Sequence, residues 1–254
     1  IAAATNCCKQ KNKPYCILFT GLSYFCHKAL NMLIKLLERQ KTFLTAFAVW
    51  IVLSIILLLI ADKIYWQQIF NENHTLAADY FFRYFTWLGD GLLIAIVSVM
   101  LAFYKIRLSI FSMATYLISG LLAQLLKRFI FDDVNRPGYV FDQLNLQLTQ
   151  VLDVGLKSYH SFPSGHTTSA FAFFFVLSVM FAEKNHVWQF IFFAAALLVG
   201  FSRVYLNLHF VNDVVMGSML GLITTFFMYP LFAGFKTPWL DKPLLALFGK
   251  NRNS

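Results

Sequence analysis

The sequence is poor in cysteine and acidic residues, and it lacks repeats and linkers. Its four cysteines all lie within the first 26 residues, a segment that is predicted below to be cytoplasmic. Thiols stay reduced there, so a disulfide framework is not expected. The 21 Lys and Arg residues outnumber the 12 Asp and Glu residues, but apolar blocks separate them. Because these basic residues form no continuous basic face, a nucleic-acid-binding module is excluded.

Apolar residues dominate the composition. The 254-residue chain is 59% hydrophobic and contains 29 Phe residues, whereas a soluble domain is usually about 45–50% apolar. This excess indicates an integral membrane protein. A spanning helix needs roughly 20 apolar residues. Six stretches approach that length, and the fifth can extend to Leu206: Phe43–Ala61, Tyr84–Tyr104, Leu108–Leu126, Ser164–Ala182, Val187–Ser202 and Val214–Phe235.

The segment before the first predicted span has a mixed character. Residues 15–37 place His27, Lys28 and Lys35 inside an apolar pattern, which favours a helix lying in the membrane interface. If the N-terminus is cytoplasmic, fourteen Lys and Arg residues fall on the cytoplasmic side and seven on the opposite side. Because positive charge concentrates on the cytoplasmic side, both termini are predicted to be cytoplasmic. No signal peptide is expected, since no short apolar region ends at a small-residue cleavage site.

These features predict an all-α fold, a bundle of six transmembrane helices with an N-terminal interfacial amphipathic helix. The expected divisions are a cytoplasmic or interfacial segment over 1–42, the six-span domain over 43–235 and a cytoplasmic tail over 236–254. Gly217 and Gly221 form a small-xxx-small pair in the last span. Such a pair predicts a close approach of two helices.

Three polar segments interrupt the apolar pattern at the ends of the predicted spans. They are residues 127–137 (KRFIFDDVNRP), 159–171 (YHSFPSGHTTSAF) and 202–213 (SRVYLNLHFVND). The predicted topology places all three on the non-cytoplasmic face. Polar and charged groups at membrane depth are costly and are usually functional. The three segments are therefore the candidate functional site.

The cationic residues of these segments suit a phosphate. The guanidinium groups of Arg136 and Arg203, together with Lys127 or Arg128, match phosphate oxygens in charge and geometry. The turn of residues 163–165, Pro-Ser-Gly, opens the fourth predicted span. Free backbone amides at a helix start form an anion site. The sequence therefore predicts a phosphate-binding site.

The histidines of the same segments add reactivity. Asp213 follows His209 by four residues and can hold one ring nitrogen, which leaves the other free to attack phosphorus. His166 can protonate the leaving oxygen. Asp90 is expected to cap the second span, and support of the site is the alternative. The remaining histidines are expected to be ordinary polar groups: His27, His74, His160 and His186.

In this order, the three segments resemble the signature of the type-2 phosphatidic acid phosphatase superfamily, whose soluble relatives include vanadium haloperoxidases. That signature is Lys, six residues, Arg-Pro; then Pro-Ser-Gly-His; then Ser-Arg, five residues, His, three residues, Asp. The resemblance covers about residues 80–230 and includes FTWLGDG at 85–91. It implies that His209 forms a phosphohistidine, that Asp213 orients it, and that His166 is the general acid that later activates water.

The resemblance also implies a set of phosphate-binding residues: Lys127, Arg136, Ser164, Gly165 and Arg203. The first motif departs from the pattern, because eight residues separate Lys127 from Arg136 and seven separate Arg128 from it. Lys127 is favoured, and Arg128 is the possible substitute. No metal or other cofactor is implied, since the phosphatases of that superfamily work without one. The adjacent Asp132 and Asp133 would point to different faces of a helix, so they would not form a good metal site.

The predicted function is hydrolysis of a lipid phosphate or lipid pyrophosphate at the periplasmic face of a bacterial inner membrane. Lipid A phosphate, undecaprenyl pyrophosphate, phosphatidylglycerophosphate and phosphatidic acid are candidate substrates. One alternative is a phosphatase of a soluble sugar phosphate, similar to glucose-6-phosphatase. The other is a non-catalytic lipid-phosphate transporter or receptor, for which inverted repeats and broken mid-membrane helices are expected, and the sequence indicates neither. No nucleic-acid partner is expected, and the oligomeric state is open.

Overall fold

The computed structural model describes residues 14–234 and 237–248, with side chains for residues 26–234 and 237–247. Within these ranges every regular element is helical, which confirms the all-α prediction. The α-helices are α1 (Pro14–Arg39), α2 (Lys41–Ile60), α3 (Lys63–Glu72), α4 (Leu76–Phe85), α5 (Gly91–Met100), α6 (Ile106–Phe129), α7 (Pro137–Gln143), α8 (Gly165–Phe181), α9 (His186–Tyr205), α10 (Val211–Gly234) and α11 (Leu245–Phe248). Short 3₁₀ helices occupy Thr86–Gly89, Leu101–Phe103 and Pro238–Asp241.

The N-terminal segment is only partly described. Cys7 and Cys8 lie outside the described residues, and Cys16 lies in the part of α1 whose side chains are not described. Cys26 is exposed and free. Residues 15–37 do form a helix, since α1 runs from Pro14 to Arg39. Its placement in the membrane interface and the domain boundaries stay predictions.

Every predicted span coincides with a helical segment of the described residues. Helices α2, α6, α9 and α10 are each long and apolar enough to cross a membrane. A pair of helical segments, Leu76–Gly89 and Gly91–Phe103, which meet at an angle of 54°, is a fifth candidate span. Helix α8 is apolar but shorter, with 17 residues. All six predicted stretches therefore coincide with helical segments, and the count of six spans stays a prediction.

Asp90 explains the bend in the fifth of these candidates. Its backbone is extended, with φ −73° and ψ 135°, so a continuous helix cannot pass through it. Its carboxylate oxygen Oδ1 accepts a hydrogen bond of 2.9 Å from the amide of Leu92, which caps α5. Asp is among the preferred residues at this position because its oxygen satisfies an otherwise unpaired amide. The predicted capping role of Asp90 is confirmed.

Helix α8 lies at the centre of the bundle. Every residue from Thr167 to Val176 is buried, as expected for a helix that is apolar on all sides. It packs against α6, α9 and α10, and its Phe175 ring lies 4.8 Å from that of Phe43 in α2. Helix α2 instead turns side chains such as Leu59, which is 81% exposed, away from the protein. Those side chains face the lipid.

Two glycines let α10 touch α8 backbone to backbone. A Cβ atom at Gly217 would lie 2.6 Å from the carbonyl oxygen of Ser164, and one at Gly221 would collide with the carbonyl oxygen of Thr168. Real Cβ atoms do not approach backbone oxygens this closely, so these positions require glycine. The predicted close approach is confirmed. It sets the first turn of α8 against the first turns of α10.

Polar contacts stabilise the other end of the bundle, where α8 ends and α6 begins. Buried Gln40 donates to the carbonyl oxygen of Ser178 at 3.2 Å and accepts from its hydroxyl at 2.6 Å. Arg107 at the start of α6 pairs with Asp241 at 2.8 Å. These contacts join α6 and α8 to the chain segments that flank the spanning helices.

We expect Gly221→Ala to destabilise the protein by about 2 kcal/mol, because overpacking against rigid backbone typically has an effect of this size. Gly120→Ala is the matched control, since Gly120 also lies in a spanning helix but has no atom within 4 Å of an added Cβ. Thermal unfolding in detergent measures both. Equal unfolding temperatures for the two variants would contradict the close contact.

Candidate active site

The three predicted polar segments meet at one end of the bundle. The amide of Ser161 donates to the carbonyl oxygen of Val134 at 2.8 Å, which joins the second segment to the first. The amide of Ser164 donates to the carbonyl oxygen of Asp213 at 3.0 Å, which joins the second segment to the third. Backbone hydrogen bonds of this kind hold the side chains of all three segments at a constant separation.

His209 and Asp213 form a buried pair. The Nδ1 atom of His209 lies 3.2 Å from Oδ2 of Asp213, and their side chains are 2% and 0% exposed. The same carboxylate oxygen accepts from the amide of Phe210 at 3.0 Å and from the hydroxyl of Ser161. A carboxylate at Nδ1 keeps the proton on that nitrogen, so the lone pair is on Nε2.

The charge state of His209 follows from its surroundings. Burial lowers the pKa of this imidazole well below its ordinary value, and the guanidinium groups of Arg136 and Arg203 lower that pKa further. The ring is therefore neutral at neutral pH. A neutral ring keeps the Nε2 lone pair that a nucleophile requires.

Arg136 faces the free nitrogen of His209. Its Nη1 atom lies 3.1 Å from Nε2 of His209 and donates at 3.0 Å to the carbonyl oxygen of Leu208. Its Nε atom donates to the carbonyl oxygen of Tyr159 at 2.9 Å, and Nη2 donates to that of His160 at 3.4 Å. Three carbonyl oxygens and the neutral His209 ring thus position the guanidinium without cancelling its charge. The charge is available to an anion beside His209.

Arg203 is a second buried cation in the same region. It is 6% exposed, and its Nη1 atom donates to the hydroxyl of Thr86 at 2.9 Å. Within the described residues its Nε atom has no hydrogen-bond partner. A buried donor without an acceptor is unfavourable by about 1–3 kcal/mol. A phosphoryl oxygen would satisfy it.

The start of α8 contributes further donors. Ser164 caps this helix without a side-chain cap hydrogen bond, so the amides of the first turn receive no acceptor from it. The space around Gly165 is open, since an added Cβ would meet nothing within 4 Å. Ser164 itself is buried and accepts a hydrogen bond of 2.9 Å from the hydroxyl of Thr167. The helix start can therefore receive an anion at close range.

His166 stands at the rim of the site. Its side chain is 34% exposed, and its Nε2 atom lies 3.8 Å from Oδ2 of Asp90. It interacts electrostatically with His209, Arg203 and Arg136. The two predicted catalytic histidines thus interact with the same two guanidinium groups, those of Arg136 and Arg203.

Lys127 and Arg128 occupy different environments. Lys127 is 7% exposed, and its ammonium group interacts electrostatically with Arg136, Arg203 and Asp213. Arg128 is exposed. Consecutive residues on a helix point about 100° apart, so only one of them can face the bundle interior. The geometry places Lys127 beside the other predicted phosphate ligands.

Sequence reasoning missed several residues that shape the site. Ser161 contacts Asp213, and Thr86 contacts Arg203, but neither residue stands out in the sequence. Asn207 has φ 56° in the turn between Arg203 and His209. Its one available signal was that Asn adopts this backbone conformation more readily than most residues.

The turn at Asn207 is anchored from helix α3. The Nε2 atom of Gln67 donates to Oδ1 of Asn207 at 2.6 Å, and Nδ2 of Asn207 donates to Oδ1 of Asn71 at 2.9 Å. Gln67 and Asn207 are fully buried. This network fixes the turn between Arg203 and His209.

No group of three or more His, Cys, Asp or Glu side chains suited to a metal ion occurs among the described residues.

Comparison with known proteins identifies the family. The model of the PAP2 superfamily matches residues 107–236, about half of the chain. The chain belongs to this superfamily. The matched range includes every residue that the sequence predicts for catalysis and phosphate binding. As a PAP2 protein with apolar spanning helices, it is an integral membrane protein.

Curated relatives are lipid phosphatases by name. The PAP2 protein is 33% identical over 120 residues to Lipid A 1-phosphatase of Rhizobium etli, covering 47% of this chain and 48% of that protein. It is 43% identical over 77 residues to Phosphatidylglycerophosphatase B of Bacillus subtilis, covering 28% of this chain and 38% of that protein. The matches therefore span about half or less of the length of these relatives.

Solved structures share the fold. Aquifex aeolicus LpxE has a TM-score of 0.55 and 27% identity, and the match covers 64% of this chain and 92% of that chain. The PAP2 type phosphatidylglycerolphosphate phosphatase from Bacillus subtilis has a TM-score of 0.56 and 22% identity, with 76% of this chain and 96% of that chain covered. At 22% identity, the second likeness concerns the fold alone.

If Lys127 binds phosphate, we expect Lys127→Met to lower kcat/KM for phosphate release by about 10²–10³-fold, the usual effect of removing one charged donor from an active site. Arg128→Met is the matched control and should stay near the activity of the unmodified protein, because Arg128 is exposed. Phosphate release in detergent measures both variants. The reverse pattern would assign the role to Arg128.

Proposed function

We propose that this PAP2 protein is a membrane phosphatase that hydrolyses a lipid phosphate or lipid pyrophosphate through a phosphohistidine at His209. One observation supports this most directly: His209 lies between a carboxylate and a guanidinium. Asp213 is 3.2 Å from Nδ1 and Arg136 is 3.1 Å from Nε2. The carboxylate makes the ring a better nucleophile, and the guanidinium attracts phosphoryl oxygens to the atom that attacks.

Binding of the substrate prepares the nucleophile. The phosphoryl oxygens lie among Lys127, Arg136 and Arg203, near the first amides of α8. One of these oxygens replaces Nε2 of His209 as the acceptor of the Arg136 Nη1 proton. The lone pair on Nε2 is then free to attack phosphorus. The same guanidinium thus serves first to orient His209 and then to hold the substrate.

The reaction runs in two displacements. In the first, a bond forms between Nε2 of His209 and phosphorus, the bond from phosphorus to the leaving oxygen breaks, and that oxygen takes a proton from His166. In the second, His166 takes a proton from water, the water oxygen bonds to phosphorus, and the bond to Nε2 breaks. Fixed cations stabilise the charge on the equatorial oxygens in both steps.

A lipid substrate is supported by the relatives and by the surroundings of the site. The curated relatives named above are phosphatases of lipid A and of phosphatidylglycerophosphate. Tyr84, Trp87 and Tyr159 are each at least 60% exposed on segments that contribute to the site. Aromatic rings of this kind are typical of the membrane interface, where a lipid headgroup lies.

The bend at Asp90 is a broken helix that the sequence did not indicate. It is compatible with a transporter as well, since transporters use broken helices at their binding sites. A carrier needs the cations but has no use for a carboxylate behind a nucleophilic ring nitrogen. The buried pair of His209 and Asp213 therefore favours catalysis over carriage.

We expect His209→Ala to abolish phosphate release in detergent, with EDTA present, and to abolish formation of an acid-labile phosphoprotein from ³²P-labelled substrate. His186→Ala is the control, because His186 lies at the opposite end of the bundle and contacts Thr42. Substantial turnover by the His209→Ala protein would contradict its role as the nucleophile.

The same assay compares phosphatidic acid, phosphatidylglycerophosphate, undecaprenyl pyrophosphate and lipid A with glucose 6-phosphate. Turnover of at least one lipid well above that of the sugar phosphate is the expected result. Turnover of the sugar phosphate alone would contradict the lipid assignment while leaving the chemistry in place.

The periplasmic location of the site is tested by labelling with a membrane-impermeant maleimide in intact cells. One variant replaces Cys7, Cys8 and Cys16 by Ser and retains exposed Cys26. A second variant also changes Cys26 to Ser and exposed Tyr159 to Cys. We expect labelling at residue 159 and none at residue 26. The opposite result would place the site on the cytoplasmic face.

A further inference from the structure

The two carboxylate oxygens of Asp90 face different groups. Oδ1 accepts the 2.9 Å hydrogen bond from Leu92 that caps α5, and Oδ2 lies 3.8 Å from Nε2 of His166. Capping alone requires one oxygen, and Asn or Ser supplies it as well as Asp does. The second oxygen, and the negative charge, are therefore not explained by the cap.

The turn that holds Asp90 is pressed against the site. An added Cβ at Gly89 would lie 2.9 Å from the carbonyl oxygen of His166 and 2.5 Å from Cγ1 of Val199. Thr86, in the same turn, accepts the hydrogen bond from Arg203. These contacts fix the position of the Asp90 backbone relative to His166. The carboxylate consequently faces His166 from a rigid segment.

His166 stands among positive charges. The charged and titratable groups that interact with it include Arg203, His209, Lys157 and Arg136. A general acid must hold a proton before it gives one up, and a protonated imidazole is repelled by neighbouring cations. A carboxylate next to the ring offsets that repulsion. Asp90 is placed to supply it.

We propose that Asp90 is a positioning residue that orients His166 and stabilises its protonated form, so that His166 can act as the general acid. The proposal rests on the proposed function and adds the group that makes its acid step possible. With Nε2–H directed to Asp90, Nδ1 is the nitrogen that protonates the leaving oxygen. The electron pair of the breaking P–O bond goes to that oxygen, which takes the Nδ1 proton.

The test compares two leaving groups in Asp90→Asn. Phosphatidic acid releases an alcohol whose oxygen must be protonated, whereas 4-nitrophenyl phosphate releases a phenolate that needs no proton. We expect kcat/KM on phosphatidic acid, which reports the first displacement and not the later hydrolysis of the phosphohistidine, to fall by about 10²-fold, the size of a general-acid contribution. On 4-nitrophenyl phosphate it should stay within about 3-fold, because leaving-group departure there does not depend on His166.

Two controls separate this role from a structural one. Asn at position 90 can still accept from Leu92, so thermal unfolding should match that of the unmodified protein. Asp62→Asn makes the same change at another helix cap, where Asp62 accepts from Ile64 and Tyr65, and it should leave the ratio of the two rates unchanged. In a His166→Ala background, Asp90→Asn should have no further effect on phosphatidic acid.

Equal losses on the two substrates, or no loss on phosphatidic acid, would overturn the role of Asp90. An independent loss in the His166→Ala background would do so as well. Failure of the proposed function has a different signature, because the unmodified protein would then release phosphate from none of the lipid phosphates compared above.

Discussion

The backbone contact between helices α8 and α10 determines where the groups of the site lie. Gly217 and Gly221 bring α10 against the carbonyl oxygens of α8, and the amide of Ser164 completes the contact by donating to Asp213 at 3.0 Å. His166 is the second residue of α8, and Asp213 in the first turn of α10 lies 3.2 Å from Nδ1 of His209. Because both anchor points are backbone atoms, the spacing of the two histidines does not depend on flexible side chains.

Around this contact lie three buried cations that form no salt bridge with a carboxylate among the described residues. Lys127, Arg136 and Arg203 are all less than 9% exposed, and Arg136 is held by carbonyl oxygens rather than by a carboxylate. Burying cations in this way is unfavourable for folding. It is favourable for catalysis, because donors that are already in place need no reorganisation when negative charge develops on a phosphoryl group.

Most of the fold follows from the length of the apolar stretches in the sequence. The six apolar stretches coincide with helical segments because a charge-free run of this length can satisfy its backbone polar groups in a membrane only as a helix. The capping role of Asp90 was predicted, but the 54° bend at this residue was not. The contact of Asp90 with His166 was not foreseeable, because residues 90 and 166 come together only when the bundle forms. The same holds for Ser161 and Asp213, and for Thr86 and Arg203.

The amino-acid sequence by itself determined the chemical inventory: three polar segments at the ends of apolar helices, with two histidines, a carboxylate and several cations in a recognisable order. Local spacing was sufficient for this, since each motif lies within one segment. Only the tertiary structure decided between Lys127 and Arg128 as the cation that faces the bundle interior, and only it placed Arg136 at the free nitrogen of His209. Both outcomes depend on burial and on contacts between helices. The spacing of residues along one helix determines neither of these.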